Sequence, residues 1–164
     1  MHRIACTPLT AAAFAPFGQV IERPADFSRI YFSEALLNGR GGAKPSLSLS
    51  QVRPLAASLL EAAKMERHEL SSQSFVPIDA SRYLVIVAPH ADDGKPDSSR
   101  LQAFLARGDQ GITYGMNVWH HPMTVLDRSA TFAVFMWLDG GRGDEEFVDL
   151  PAPVAVDFPP AESR

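Results

Sequence analysis

Three of the five histidines in this chain fall in two short segments, Met65-Glu66-Arg67-His68 running on to Gln73-Ser74-Phe75, and Asn117-Val118-Trp119-His120-His121-Pro122. Imidazole titrates near neutrality, so it suits both proton removal and proton donation. Imidazole and carboxylate together are also ordinary ligands for divalent first-row metals, and an amide oxygen is a weaker one. Burying such groups unpaired costs about 1–3 kcal/mol each, so apolar strands that carry several of them point to a use. On a strand, residues two apart share a face. Glu66 and His68 therefore point one way and Arg67 the other. By the same rule His120 and His121 cannot both face inward, and His120 is taken as the inward one.

Thirteen prolines and eleven glycines cut the sequence into short pieces, which favours many brief strands over a helical bundle. Arg3–Leu9 reads as a strand, and Thr10 caps a short helix from Ala11 to Phe17 that Gly18 ends. Gln19–Glu22 reads as extended. Residues 24–45 read as irregular, with a mobile loop at 38–42. Ser46–Val52 alternates with period two and predicts a strand with one buried face. Ala56–Met65 has helix propensity, yet Met65–Pro77 must be extended if His68 lines a cavity. A loop or brief turn before Leu60 followed by strand is the expectation. Ser74–Pro77 and Tyr83–Ala88 read as buried strands. Asp97 is expected to cap a helix through Leu101, Phe104 and Leu105, stopped by Gly108. Strands are expected at Gly111–Tyr114, Met123–Leu126, Thr131–Leu138 and Glu146–Leu150. Residues 1–150 are expected to form one domain, with 151–164 a loosely held proline-rich tail.

At 164 residues, 46 % hydrophobic and 21 % charged, the composition is that of an ordinary globular protein. A formal charge of -4 supplies no basic stripe for nucleic acid. No apolar run reaches the length of a membrane span. The N-terminus lacks the pattern of a signal peptide, and the single Cys6 can form no internal disulfide, so the expected location is the cytoplasm. Several residues have plainer readings. Cys6, Trp119 and Phe75 read as packed core. Arg67 reads as a surface or interface ion-pair residue, Asp144-Glu145-Glu146 as a solvated charged turn, and His2 and His90 as exposed residues without a role.

The spacing of Glu66, His68, Gln73 and His120 resembles the two motifs of the cupin small barrel, with a carboxylate in place of the first histidine and an amide in place of the glutamate. The likeness sharpens through Met65-Glu66-Arg67-His68, Ser72-Gln73, Phe75 and Pro77, Val85, Val87-Ala88, Lys95-Pro96-Asp97, Gln110-Gly111, Tyr114 and Val118-Trp119-His120-His121-Pro122. Together with the opening Pro8-Leu9-Thr10, Phe14, Phe17-Gly18 and Val20-Ile21-Glu22, these residues resemble the ureidoglycolate lyase (formerly hydrolase) family. The resemblance implies a mainly β, cupin-like double-stranded β-helix (jelly-roll) barrel with a few short helices. It also implies a homodimer and a lyase that releases urea and glyoxylate from ureidoglycolate in purine and allantoin breakdown.

On that reading Glu66, His68 and His120 are the catalytic candidates, with the base at Glu66 or His68 and the proton donor at His120 or His121. Ser72, Gln73 and Tyr114 contact the substrate. Arg40, Lys44 and Arg82 are the candidates for holding its carboxylate. No cofactor is required by the residues themselves; Glu66, His68, Gln73 and His120 form a weak site for a divalent metal, and the family implies nickel in some members. Two departures stand out. The family's longer Arg-, Tyr-, His- and Asp-rich segment is reduced here to Asn38–Lys44, and its Asp-Arg-Gly becomes Asp139-Gly140-Gly141. A non-catalytic cupin, or one specific for another small carboxylic acid, is therefore the alternative, and a metal-dependent enzyme on another acid is a third reading.

Overall fold

The computed structural model describes residues 2–141 and 143–161. Proline and glycine punctuate as expected, and besides two 3₁₀ turns the described residues form thirteen strands and one α-helix. These are β1 (Arg3–Ala5), β2 (Thr7–Pro8), α1 (Ala11–Phe14), β3 (Gly18–Ile21), β4 (Lys44–Val52), β5 (Leu59–His68), β6 (Gln73–Pro77), β7 (Arg82–Ala88), β8 (Gln102–Arg107), β9 (Gly111–Tyr114), β10 (Trp119–His120), β11 (Thr124–Leu126), β12 (Ala130–Leu138) and β13 (Glu145–Asp157). One sheet runs β1-β13-β5-β10-β7-β8-β2, with β11 also on β7; the other runs β3-β9-β6-β12-β4. This is the mainly β, barrel-like architecture expected from the sequence.

The two sheets share a core. Phe75, Ile112, Tyr114, Phe132 and Val134 come from one, and Tyr83, Val85, Val87 and Phe104 from the other, with Phe14 of α1 closing one end. A second cluster lies on the other face of the larger sheet and includes Leu60, Met65, Leu84, Ile86, Trp119 and Val156. The continuous apolar run of β7 now has its reason. Tyr83, Val85 and Val87 enter the first core, while Leu84, Ile86 and Ala88 enter the second, so both faces must be apolar. Cys6 packs against the second cluster.

Four expectations change. Thr10 does cap a helix, its hydroxyl accepting the Ala13 N–H at 3.2 Å, but the helix ends at Phe14. Gly18 opens β3 instead of ending the helix. A Cβ there would lie 1.8 Å from the Thr113 carbonyl oxygen, so only glycine lets β3 close on β9. Asp97 accepts the Ser99 N–H, but caps only a 3₁₀ turn at Ser98–Arg100. The apolar residues beyond alternate, Leu101 and Ala103 entering the outer cluster and Phe104 and Ala106 the inner core. Pairing with β7 outweighs local helix propensity. Pro151–Asp157 is no loose tail up to its last residues: it continues β13, and Val154 and Val156 pair with Ala62 and Leu60 of β5. Residues 162–164 of the expected tail lie outside the described residues.

The fourth change concerns β4. The strand forms, but its leucines do not enter the core. Ser48 and Ser50 pair with Val134 and Phe132 on the core side, whereas Leu47 and Leu49 pair with Phe135 and Ala133 on the outer face. The two leucines are 73 % and 69 % exposed.

The inner core sets stability. Phe132 is fully buried, with its ring edge-on to Tyr83 at 5.2 Å and to Phe75 at 6.2 Å. Phe132→Ala is predicted to lower the unfolding free energy by about 3–5 kcal/mol, measured by urea denaturation.

Candidate active site

The site begins with one rung of the larger sheet. β10 is only two residues long, and His120 pairs with Glu66 of β5 on one side and Val87 of β7 on the other. Directly paired residues share a face. Glu66 and His120 therefore project together from the core side of the sheet, and His68 follows two residues on. The Glu66 Oε1 atom lies 3.0 Å from His120 Nε2. The His68 and His120 ring centroids are 6.0 Å apart, and one ligating atom from each of Glu66, His68 and His120 falls within 4.8 Å of the others. His120 Nδ1 sits 2.9 Å from the Val118 carbonyl oxygen. A carbonyl only accepts, so Nδ1 is the donor to Val118; Nε2 is turned to the Glu66 carboxylate, also an acceptor, and donates to it when it carries a proton.

Neighbours fix the rings. Tyr114 stacks on His120 at 4.0 Å and 13°. Gln73 pairs with Tyr114 across β6 and β9; it is buried, and its Oε1 has no hydrogen-bond partner. The structure thus brings Glu66, His68, Gln73, Tyr114 and His120 together. Ser72 is also buried, but its hydroxyl donates to the Leu37 carbonyl and accepts the Leu37 N–H, so its one donor is already used. His121 turns to the Pro122 carbonyl and the Thr124 hydroxyl.

The three candidate cations end in three places. Arg40 is half-embedded beside the site, donating to Asp139 at 2.7 Å, to the Trp137 carbonyl at 2.8 Å and to Asp144 at 3.0 Å. Its Nε is buried without a partner. A small cavity of about 80 Å³ is lined by Arg40, His68, Trp137 and Asp144 among others. Lys44 is exposed at the head of β4, opposite Leu138. Arg82 is not at the site. It lies five residues along β7 from Val87, about 17 Å at strand rise, and binds Asp127 and the carbonyls of Pro159 and Pro160. There it lines a cavity of about 570 Å³ with Arg107, Gln110 and Arg128. That cavity holds none of the histidines, and its chemistry is that of a salt-bridged rim.

Three plainer readings also change. Asp144 is buried, and its carboxylate receives the Leu70 N–H, the Ser71 hydroxyl and Arg40. It braces the turn between β5 and β6 and is no solvated charge. His90 bridges the Gly94 and Asn117 carbonyls and lies against Trp119. Arg67 does form an ion pair, with Glu146, but it is largely covered and stacks over Trp119. None of the three has a sequence signal of its own, because each partner is remote in the chain. Trp119 and Phe75 are core, as read.

Electrostatics separates the titrating groups. Burial pushes the Glu66 carboxyl up, but the hydrogen bond from His120 and the charges of three histidines outweigh it and hold it below its usual range. Burial, with His120 close by, pushes the His68 ring down. Burial does the same to His121. The Tyr114 phenol is driven well above its ordinary value by burial and stays protonated. A carboxylate, a neutral imidazole and a phenol donor therefore face one another near neutral pH.

The model of the ureidoglycolate lyase family matches residues 1–157. A putative ureidoglycolate lyase of Agrobacterium fabrum (strain C58 / ATCC 33970) is 41 % identical over 96 % of this chain and 97 % of its own. A ureidoglycolate lyase of Rhizobium etli (strain CIAT 652) is 40 % identical over 85 % and 87 %, and one of Brucella melitensis biotype 2 (strain ATCC 23457) is 38 % identical over 77 % and 78 %. Among solved structures, RmlC from Streptococcus suis aligns over 81 % of this chain and 55 % of its own, at 12 % identity and a TM-score of 0.41.

The two depressed histidines make stability depend on pH. The unfolded chain takes up protons on them near 6.5, whereas the folded protein resists until lower pH. Their contribution is complete above 6.5 and drains away as pH falls below it. Tm of the metal-free protein is predicted to drop between pH 7.5 and 5.5, and His121→Gln to flatten that slope.

Proposed function

The chain belongs to the ureidoglycolate lyase family, and from that premise we propose that it releases urea from ureidoglycolate to leave glyoxylate, in the breakdown of purines through allantoin. The observation that carries the reading is the convergence of Glu66, His68 and His120 within 4.8 Å beside Tyr114. The substrate is a carbinolamide. Its cleavage removes the hydroxyl proton, turns that C–O into a carbonyl, expels the C–N bond pair to the urea nitrogen and protonates that nitrogen. His68, neutral at pH 7, takes the hydroxyl proton. His120, placed between the Val118 carbonyl and the Glu66 carboxylate, is the proton donor to the leaving nitrogen. The unpartnered Gln73 oxygen accepts an N–H of the ureido group. Arg40, whose side chain shares a cavity with His68, is the favoured cation for the carboxylate, ahead of the more remote Lys44 and Arg82.

The same three side chains fit a divalent first-row metal, since two imidazoles and a carboxylate are an accepted donor set and the Nδ1–H bond to Val118 leaves His120 Nε2 facing the set. Bound there, a metal would act as a Lewis acid on a substrate oxygen. A second copy of the chain is the expected partner. Leu47, Leu49 and Val76 leave the outer face of the smaller sheet apolar at its β4 edge, an arrangement that a two-fold dimer would cover. A cytoplasmic setting fits the lone Cys6, and no helix among the described residues is long and apolar enough to cross a membrane.

Purified protein given racemic ureidoglycolate should yield urea and glyoxylate in equal amounts. His68→Ala and Glu66→Gln should each slow that release by about 10²–10⁴-fold. Binding of a small carboxylate with no urea formed would replace the lyase reading by the non-catalytic one. Arg40→Lys should raise KM about tenfold or more with a smaller effect on kcat. Leu47→Glu combined with Leu49→Lys should convert a dimer to a monomer by light scattering.

A further inference from the structure

Between Glu66 and His68 the chain carries an arginine that leaves β5 on the opposite face. The Arg67 side chain is only 16 % exposed. Its guanidinium lies over Trp119, 4.6 Å from the ring centroid. Nε and Nη2 reach Glu146 of β13 at 2.7 and 2.6 Å, and Nη1 donates to Asn117 Oδ1 at 2.8 Å. Asn117 is the residue on which the approach to β10 turns. Its φ is 62°, a left-handed conformation that asparagine tolerates better than most side chains. Its backbone N–H donates to the His68 carbonyl at 2.7 Å, and its own carbonyl meets His90 Nε2 at 2.7 Å. Trp119, the other surface that Arg67 touches, immediately precedes His120 and is pinned by its Nε1–H to the Gly94 carbonyl at 3.0 Å.

One guanidinium therefore sits on the strand that bears Glu66 and His68 and grips both residues that aim the segment bearing His120. That grip has work to do. β10 has two residues, one rung to β5 and two to β7, so strand pairing holds it over a short length only and ties it to the strand of Glu66 and His68 at a single point. A planar fork that stacks on one ring and donates to two acceptors supplies the missing restraints at once; an ammonium, a point charge, cannot.

We propose that Arg67 is a positioning residue for this site: through Asn117 and Trp119 it sets His120 against Glu66 from behind the sheet. It touches no reacting atom. The proposal rests on Glu66, His68 and His120 being the working face, and its test includes a measurement that needs no turnover.

Asn117→Gly removes the acceptor for Arg67 but tolerates the φ. Asn117→Asp keeps an acceptor for Arg67 at the same place. Arg67→Lys keeps the charge and loses the fork. For each, Tm, kcat and KM for urea release are measured, with the ring ¹H–¹⁵N signals of His120 in the ligand-free protein. Asn117→Gly and Arg67→Lys are expected to lower kcat about 10- to 100-fold with KM changed less than about twofold, and to shift or broaden the His120 Nδ1–H signal while Tm holds within a few degrees. Asn117→Asp is expected to restore kcat to within about threefold of the parent and to recover the signal. The Arg67→Lys, Asn117→Gly double variant should be no worse than the poorer single one, because both break one bond.

An unchanged kcat and His120 signal in Asn117→Gly would overturn the proposal. So would losses that merely track Tm, or a failure of Asn117→Asp to restore what glycine lost. If Arg67→Lys does not fold, the glycine–aspartate pair decides. If the parent protein releases no urea, the lyase reading falls, and the His120 signal in the same pair still decides the positioning role.

Discussion

The pairing of His120 with Glu66 across two strands is the constraint on which the site depends. It is a single rung between a two-residue strand and a ten-residue one. Strand alternation converts that rung into chemistry: because the paired residues share a face, a carboxylate and an imidazole 54 residues apart in sequence meet at hydrogen-bond distance. His68 joins them at no further topological cost, being two positions along the same strand. The rest of the neighbourhood holds this rung still. Tyr114 lies flat on the His120 ring, the Val118 carbonyl fixes its tautomer, and Asp144 ties down the turn that follows His68.

Burial and charge then pull against each other in a useful way. Desolvation pushes the Glu66 carboxyl up, but the hydrogen bond from His120 and the neighbouring histidines outweigh it and hold it below its usual range. The same desolvation keeps His68 neutral. A site sealed enough to shift its histidines, yet paired enough to keep its carboxylate, holds opposite proton-transfer capacities side by side near neutral pH. Arg40 stands at the rim under restraint, because Asp139 and Asp144 already share its charge. The short Asn38–Lys44 segment and the Asp139-Gly140-Gly141 turn meet at this arginine.

Much of this was legible in the sequence, and the failures have physical causes. Alternation located Glu66 and His68 on one face with Arg67 opposite, and the apolar run of β7 announced a strand covered on both sides. Leu101, Phe104 and Leu105 stand at spacings that also fit a helix, and only pairing with β7 decides for strand. Alternation in β4 gave the strand but not the direction of its leucines, since one face of an edge strand can be reserved for something outside the chain. Arg82 looked as available to a carboxylate as Arg40, because a sequence does not reveal which end of a strand meets the site. The covered positions of Asp144, His90 and Arg67 are hidden from the sequence for a related reason. Each is charged or polar, each reads as surface, and each is fixed by partners dozens of residues away.

The seam between β1 and β13 bears on how this protein is made. Arg3, Ile4 and Ala5 run parallel to Ala155, Val156 and Asp157, and β13 is also the neighbour that flanks β5 along Glu66–His68. On a ribosome, the larger sheet stays incomplete until β13, the last of the described strands in sequence, has been made. Until then that edge of β5 lies open, so the order of manufacture makes the strand of Glu66 and His68 among the last to be sheltered. Folding that leans on such distant pairings is slow by nature and leaves apolar edges uncovered meanwhile, and a nascent chain of this kind gains from a chaperone's cover until residue 157 has emerged.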